Sequence, residues 1–220
     1  KDSYLLIVKA YQVDKPSERF NFTTVVVTIL DVDDNPPNIL EVYGATVQEN
    51  APIGTFVIQV QATDVDKVSD KDPDDSLTYK IVAGGSPSFI IDSSGVIRVN
   101  KTLDHEQISS YNITVAVMDH GNHTTQSTFH VNVLDVNDES PMFSNTSYSF
   151  QVVEETTETV FTVTAHDRDL GENGVVEYEL QNNLWTSNIA MNNTTGKLHV
   201  KSIDRENLNG NDQIHLSVIA

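Results

Sequence analysis

Two seven-residue segments constrain this chain more than any other feature: Asp31-Val32-Asp33-Asp34-Asn35-Pro36-Pro37 and Asp135-Val136-Asn137-Asp138-Glu139-Ser140-Pro141. Each follows an alternating apolar run, Val25-Val26-Val27-Thr28-Ile29-Leu30 in one case and Phe129-His130-Val131-Asn132-Val133-Leu134 in the other, so each reads as the exit from a β-strand. Further acidic motifs return at the same interval. Glu49 returns as Glu154, Asp64-Val65-Asp66 as Asp167-Arg168-Asp169, and Leu103-Asp104-His105-Glu106 as Ile203-Asp204-Arg205-Glu206, all 100 to 105 residues apart. A period that long is a whole domain, which makes the chain a tandem array and not a solenoid.

The expected bounds follow from matching the repeats. Residues 1–37 hold the C-terminal part of a first repeat with its linker, 38–141 a complete repeat with its linker, and 142–220 most of a third repeat, cut before its last strand. Tyr4, Leu6, Val8 and Ala10 match Tyr111, Ile113, Val115 and Val117, as do Ile214, Leu216, Val218 and Ala220. Both ends are therefore expected to be truncation points. Within the complete repeat, Phe56, Ile58, Val60 and Ala62 are expected on one face of a strand. Leu77, Tyr79 and Ile81 follow, then Val96 to Val99, the run from Tyr111 to Val117, and Phe129, Val131 and Val133. Period two means half-buried strands. With the stretches at 41–48 and 89–91, about seven strands in ~100 residues is a sandwich signature, and no window sustains a helical period.

Carboxylates crowded at a strand exit need a compensating cation. Oxygen ligands and a chain without cysteine point to calcium, a hard ion that takes six to eight oxygens in irregular geometry. An EF-hand does not fit, because Pro36 stands where that loop needs glycine and no helices flank it. A glycosidase carboxylate pair would not be duplicated at each domain end. His120 and His123 lie in a turn after Asp119 and read as loop histidines without a third zinc ligand; Gly84-Gly85-Ser86 reads as a turn. The run from Asp70 to Asp75 reads as solvated surface, and Trp185 as a loop residue.

Composition narrows the partners. A net charge of −19 opposes nucleic acid and anionic lipid, which need a positive footprint. Seven Asn-x-Ser/Thr sequons, at Asn21, Asn100, Asn112, Asn122, Asn145, Asn192 and Asn193, favour the secretory route and an extracellular location. No apolar run approaches the ~20 residues that span a bilayer, so an anchoring segment is expected outside this stretch.

Taken together, the motifs resemble the extracellular repeats of the cadherin superfamily. The linker pattern D-x-N-D-N-x-P appears as DVDDNPP and DVNDESP, x-E-x as Gln48-Glu49-Asn50, L-D-R-E and D-x-D as given above, and D-x-G as Asp119-His120-Gly121. The pattern is closest to non-classical members of the protocadherin, Fat and cadherin-related kind. The resemblance implies tandem Greek-key, seven-stranded β-sandwiches, immunoglobulin-like in layout, with three calcium ions in each junction.

Carried over by position, the resemblance gives the second junction Glu49, Asp104 and Glu106, then Asp135, Asn137, Asp138 and the carbonyl of Glu139, then Asp167, Asp169 and the carbonyl of Asn173. Asp138 would sit between the first and second ions. The first junction would use Asp31, Asp33, Asp34 and the carbonyl of Asn35 with Asp64, Asp66 and Asp119, and a carbonyl from Asp74 or Asp75. Asp33 replaces the usual Asn, and Gln12 stands where an Asp is expected for a junction further upstream. Glu154, Asp204 and Glu206 would serve the next junction. The implied function is calcium-dependent cell adhesion by the ectodomain of a single-pass membrane protein. Its partner would be another cadherin-like ectodomain, homophilic or heterophilic, with no small-molecule substrate and no enzymatic activity. A receptor segment or mechanical spacer is the alternative.

Overall fold

The computed structural model describes residues 3–30, 32–66, 76–181, 188–208 and 213–220. Asp31, the acidic insertion at 67–75 with Asp74 and Asp75, and Trp185 lie outside them. The described residues are all-β apart from short turns, one of them a 3₁₀ turn at Arg205–Leu208. By internal packing the chain divides into two compact units, one of Lys1–Gly44, Phe56–Asn100 and Asn112–His130, the other of Ala45–Thr55, Lys101–Tyr111 and Val131–Ala220.

In the first unit, β1 (Ser3–Tyr11) and β2 (Phe20–Thr28) form an antiparallel hairpin in unbroken register from Ser3 opposite Thr28 to Tyr11 opposite Phe20. Every residue of this ribbon is exposed, because two strands alone have no layer to cover either face. Strand β3 (Asn38–Ile39) pairs with β6 (Ala62–Thr63). Strands β5 (Phe56–Gln59), β8 (Phe89–Ile91) and β9 (Val96–Val99) form a sheet in the order β5-β9-β8. Strand β7 (Thr78–Ala83) pairs with β10 (Ser110–Met118). The core of the unit is built by Val57, Val60, Phe89, Ile97, Val99, Ile113, Val115, Val117 and Phe129.

One expectation about these strands needs correction. Phe56 is 56% exposed and Val57 is buried in its place. The pairing of β5 with β9 shifts register between Phe56 and Ile58, and a bulge of this kind turns the side-chain alternation over by one residue. After the bulge Val60 is buried, as expected. On β11 the period-two reading holds, with Phe129, Val131 and Val133 buried between exposed neighbours, and on β10 Ile113, Val115 and Val117 are buried together with Ala116.

Strand β11 (Thr124–Leu134) lies between β10 and β4 (Ala45–Gln48) in the sheet order β4-β11-β10-β7. Its last residues belong to the second unit and pair parallel with β4, Val131 opposite Ala45 through Leu134 opposite Gln48. The second unit continues with β12 (Met142–Phe143) paired to β14 (Ala165–His166). Strands β13 (Glu158–Thr162), β16 (Ile189–Asn192) and β17 (Lys197–Lys201) follow in the order β13-β17-β16, and β15 (Glu179–Gln181) pairs with β18 (Ser217–Ile219). Val163, Ala165, Tyr178, Ile189, Leu198 and Val200 form a buried cluster, and Ile214, Leu216, Val218 and Ala220 pack on it at alternate positions.

The sequence repeat has a three-dimensional counterpart at two glycines. Gly95 (φ 77°) accepts a backbone hydrogen bond from Val60 and lies against the Tyr79 ring; Gly196 (φ 64°) does the same with Val163 and Tyr178. A Cβ on either would stand 2.2 Å from the valine carbonyl oxygen, so both the left-handed backbone and the close approach require glycine.

Candidate metal centres

The acidic residues of the second unit are gathered by strand ends. Glu49 directly follows β4, and its amide donates to the carbonyl of Leu134 at the end of β11 (3.1 Å). Only 1% exposed, its carboxylate accepts from two backbone amides, His105 (2.6 Å) and Val136 (2.7 Å). Those two bonds fix the entry to the segment after Asp135 and the turn before Glu106. As a result Glu49, Glu106 and Asp135 place carboxylate oxygens within 4.8 Å of one another, and Glu106, Asp138 and Asp169 form a second such group. Glu106 is common to both.

The charge distribution in these groups is uneven. Asp135 accepts from the side-chain amide of Asn173 (2.9 Å) and the backbone amide of Leu170 (3.1 Å), both to Oδ2. The Asn173 amide foremost holds its carboxyl below the usual range. Glu106 is shifted the other way by burial and then by the charges of Glu49 and Asp135. Asp169 is likewise raised, by burial and then by Asp167, Asp135 and Asp138. A lone carboxylate avoids such surroundings, and a cation would reverse both upward shifts.

Hydrogen bonding gives an independent test of fit. Among the described residues, the buried side-chain oxygens or nitrogens without a hydrogen-bond partner are Asp64 Oδ2, Glu106 Oε1, Asp135 Oδ1 and both oxygens of Asp169. All five atoms belong to the repeated acidic motifs, and all are carboxylate oxygens. Buried polar atoms are ordinarily paired, at a cost of about 1–3 kcal/mol each when they are not. Oxygen-only, multiply charged clusters of this kind fit calcium.

The first unit presents a different arrangement. Asp66 accepts from the backbone amides of Asp34 (2.9 Å) and Asn35 (2.6 Å) and from the Asn35 side chain (2.9 Å). Burial pushes its carboxyl up, and these bonds outweigh that and hold it low. Asp64 accepts from the Asp66 amide (3.0 Å) through Oδ1, leaving Oδ2 as the orphan. Asp33 and Asp119 meet at His123, with ligand-type atoms of all three within 4.8 Å. By sequence His123 reads as a loop histidine, whereas the structure brings its ring to two carboxylates. The available signal was its spacing of four from Asp119 across the Asp119-His120-Gly121-Asn122-His123 turn, where the Asp119 amide bonds the His123 carbonyl (3.2 Å).

Several predicted residues play other parts in this structure. Asp104 caps its own turn, accepting from the backbone amide of Gln107 (2.8 Å) and from the Gln107 side chain. Asp167 accepts from the Asp169 amide (3.0 Å). Asn137 donates through its side chain to the carbonyl of Asn173 (3.3 Å), and Glu139 pairs outward with Arg168 (3.5 Å). Glu154, Asp204 and Glu206 form a further group within 4.8 Å, all three exposed.

Comparison with known proteins bears on these clusters. A model of the cadherin domain matches residues 43–134 and 148–220. Human Protocadherin Fat 4 is 35% identical over 211 residues, 92% of this chain and 4% of that protein. Cadherin-3 of Caenorhabditis elegans is 36% identical over 182 residues, 82% of this chain and 5% of that protein. The chain thus spans a small part of the curated relatives it matches. Among solved structures, mouse Cadherin-23 EC22-24 superposes with a TM-score of 0.85 at 26% identity, covering 99% of this chain and 68% of that one. Human CDH23 EC21-23 gives 0.72 at 30% identity, covering 93% and 66%. With the domain model covering most of its length and the sandwich sheets in place, this chain belongs to the cadherin family.

Proposed function

We propose that this chain is a segment of a calcium-dependent cell-adhesion ectodomain, in which calcium ions stiffen the linkers at 31–37 and 135–141. The observation that carries this reading is the set of five orphaned, buried carboxylate oxygens, all in the repeated motifs. The ligands we assign to the second linker are Glu49, Asp104, Glu106, Asp135, Asn137, Asp138, Asp167 and Asp169, with the carbonyls of Glu139 and Asn173. For the first they are Asp31, Asp33, Asp34, Asp64, Asp66 and Asp119, with the carbonyl of Asn35. Glu154, Asp204 and Glu206 serve a third site of the same kind. Asp104 turns from its Gln107 cap to the ion when calcium binds.

The location is extracellular, where calcium stays near the millimolar level that weak modules with Kd of roughly 10⁻⁴–10⁻³ M need. Asn100, Asn112 and Asn122 are exposed, as glycan acceptors must be. The partner is another cadherin-like ectodomain, and the acidic clusters are structural rather than catalytic. Calorimetric calcium titration tests the reading: the parent should bind calcium in the range above, Asp138→Ala should lose affinity, and Glu139→Ala should keep it, since only the carbonyl of Glu139 is used. A parent that takes no calcium ends the proposal. Beads coated with the protein should clump in calcium and disperse in chelator; calcium binding without clumping leaves the spacer role standing instead of adhesion.

A further inference from the structure

We propose that Asp33, Asp119 and His123 form a mixed nitrogen and oxygen site in the first unit that takes a borderline divalent transition metal, zinc above all. The inference shares Asp33 and Asp119 with the calcium reading and rests on it for their exposure to a cation; His123 has no part in that reading. Its geometry is held by the backbone. Asp33 accepts from the Gly121 amide through Oδ2 (2.7 Å), and Asp119 accepts from the His123 amide through Oδ1 (2.8 Å). Each carboxylate is therefore oriented by one amide and turns its other oxygen to the imidazole. Nδ1 of His123 lies 3.1 Å from Asp119 Oδ2 and 3.5 Å from Asp33 Oδ1.

These separations suit a tetrahedral ion. With bonds of about 2.0–2.1 Å to nitrogen and oxygen, neighbouring ligands stand about 3.3 Å apart, and the two observed distances bracket that value. The cradle is shaped for it: a Cβ at Gly121 would lie 2.8 Å from Asp33 Oδ2 and 2.9 Å from the His123 ring, so glycine lets the turn close over both groups. Asp119 is 7% exposed, which removes water from one side, while the side chains of Asp33 and His123 stay 35% and 38% exposed and leave a way in. The donor set selects the metal. Calcium takes oxygen ligands, whereas imidazole suits zinc and its neighbours in the first transition row. Asp33 is this chain's own contribution, since the linker pattern it resembles has a neutral Asn there. Two carboxylates and a neutral imidazole balance one divalent ion.

Zinc chloride titrated into the whole chain by calorimetry, with cobalt(II) absorption as a spectroscopic probe of tetrahedral ligation, tests the site. The parent should take zinc, and His123→Ala should weaken that binding at least about tenfold, the smaller loss typical even of outer-shell partners. Asp33→Asn should weaken it too, and His120→Ala should match the parent. His123→Gln keeps a hydrogen-bonding side chain in the turn and covers the case in which alanine disturbs the fold. Zinc isotherms of the His123 variants that superpose on the parent's, or a cobalt spectrum indifferent to His123, overturn the proposal. Calcium titrations of the His123 variants should be unchanged, whereas Asp33→Asn also removes a calcium ligand and is read in zinc alone. A parent that binds zinc through His123 and ignores calcium rejects the adhesion reading alone, and the reverse pattern rejects this one alone.

Discussion

At the level of single residues, the gathering of Glu49, Glu106, Asp135, Asp138 and Asp169 is legible in the sequence because their motifs repeat, but which of them stands between the two groups is not. By position, Asp138 is the expected centre of the second linker; in the structure Glu106 belongs to both three-carboxylate groups and Asp138 to one. Sequence spacing gives no warning of this, since Glu106 is brought there by the amide of its neighbour His105 bonding to Glu49, 56 positions away. Glu106→Gln should therefore raise the calcium Kd by at least about tenfold, or about 1.4 kcal/mol. In chelator the same change should raise the melting temperature, because it removes a charge that burial and Glu49 disfavour. A purely structural residue would lose stability in both conditions. Melting curves of parent and variant, with and without calcium, read the two signs together.

At the level of strands, the alternation was visible wherever pairing is regular and misleading where it is not. The bulge at Phe56 and Ile58 depends on how β9 lies against β5, and nothing local in the run from Phe56 to Ala62 announces it. The glycines show the same division. Gly54 and Gly95 look alike in the sequence, and both have positive φ, 92° and 77°. Gly95 has the Val60 carbonyl and the Tyr79 ring against it; around Gly54, among the described residues beyond its chain neighbours, nothing lies within 4 Å of an added Cβ. Gly54→Ala should cost about 1–2 kcal/mol, the ordinary penalty of a left-handed alanine. Gly95→Ala should cost more than about 3 kcal/mol, since a backbone carbonyl must also move. Urea denaturation of the two variants in the same buffer makes the comparison, and equal losses would mean that the contact at Gly95 carries no weight.

At the level of the whole molecule, the net charge of −19 and the concentration of carboxylates near the linkers make stability depend on what neutralises them. Protons and calcium should act in opposite senses. Glu106 and Asp169 have folded-state values raised above the ordinary 4.5 and 3.8. The metal-free fold therefore holds protons on these groups that the unfolded chain has released. Its stability should rise as pH falls through the raised values toward the ordinary ones. Asp135 is shifted down and works the other way, losing its contribution only as pH drops below 3.8 toward its lowered value. In calcium the upward trend should vanish or reverse over the first window, because protons then compete with the ion. Melting temperature against pH, measured in chelator and in millimolar calcium, should give two curves that converge on acidification; parallel curves would show that these carboxylates are not the ones calcium neutralises.

Removing calcium at neutral pH should loosen the linkers and spare the strands. The buried side chains that hold each unit, Ile97, Ile113 and Val131 among them, make no use of a cation, whereas 31–37 and 135–141 carry the charges that do. Far-ultraviolet circular dichroism should thus keep its β signal in chelator. Over the same change, a protease that cuts beside aspartate should begin to cleave within DVDDNPP and DVNDESP, because local opening governs cleavage when the fold itself stays closed. Mass spectrometry of the early fragments locates the cuts. Cleavage confined to the two linkers fits metal-dependent stiffening, while cuts spread through β9, β10 and β17 would mean that calcium holds the sandwiches themselves together.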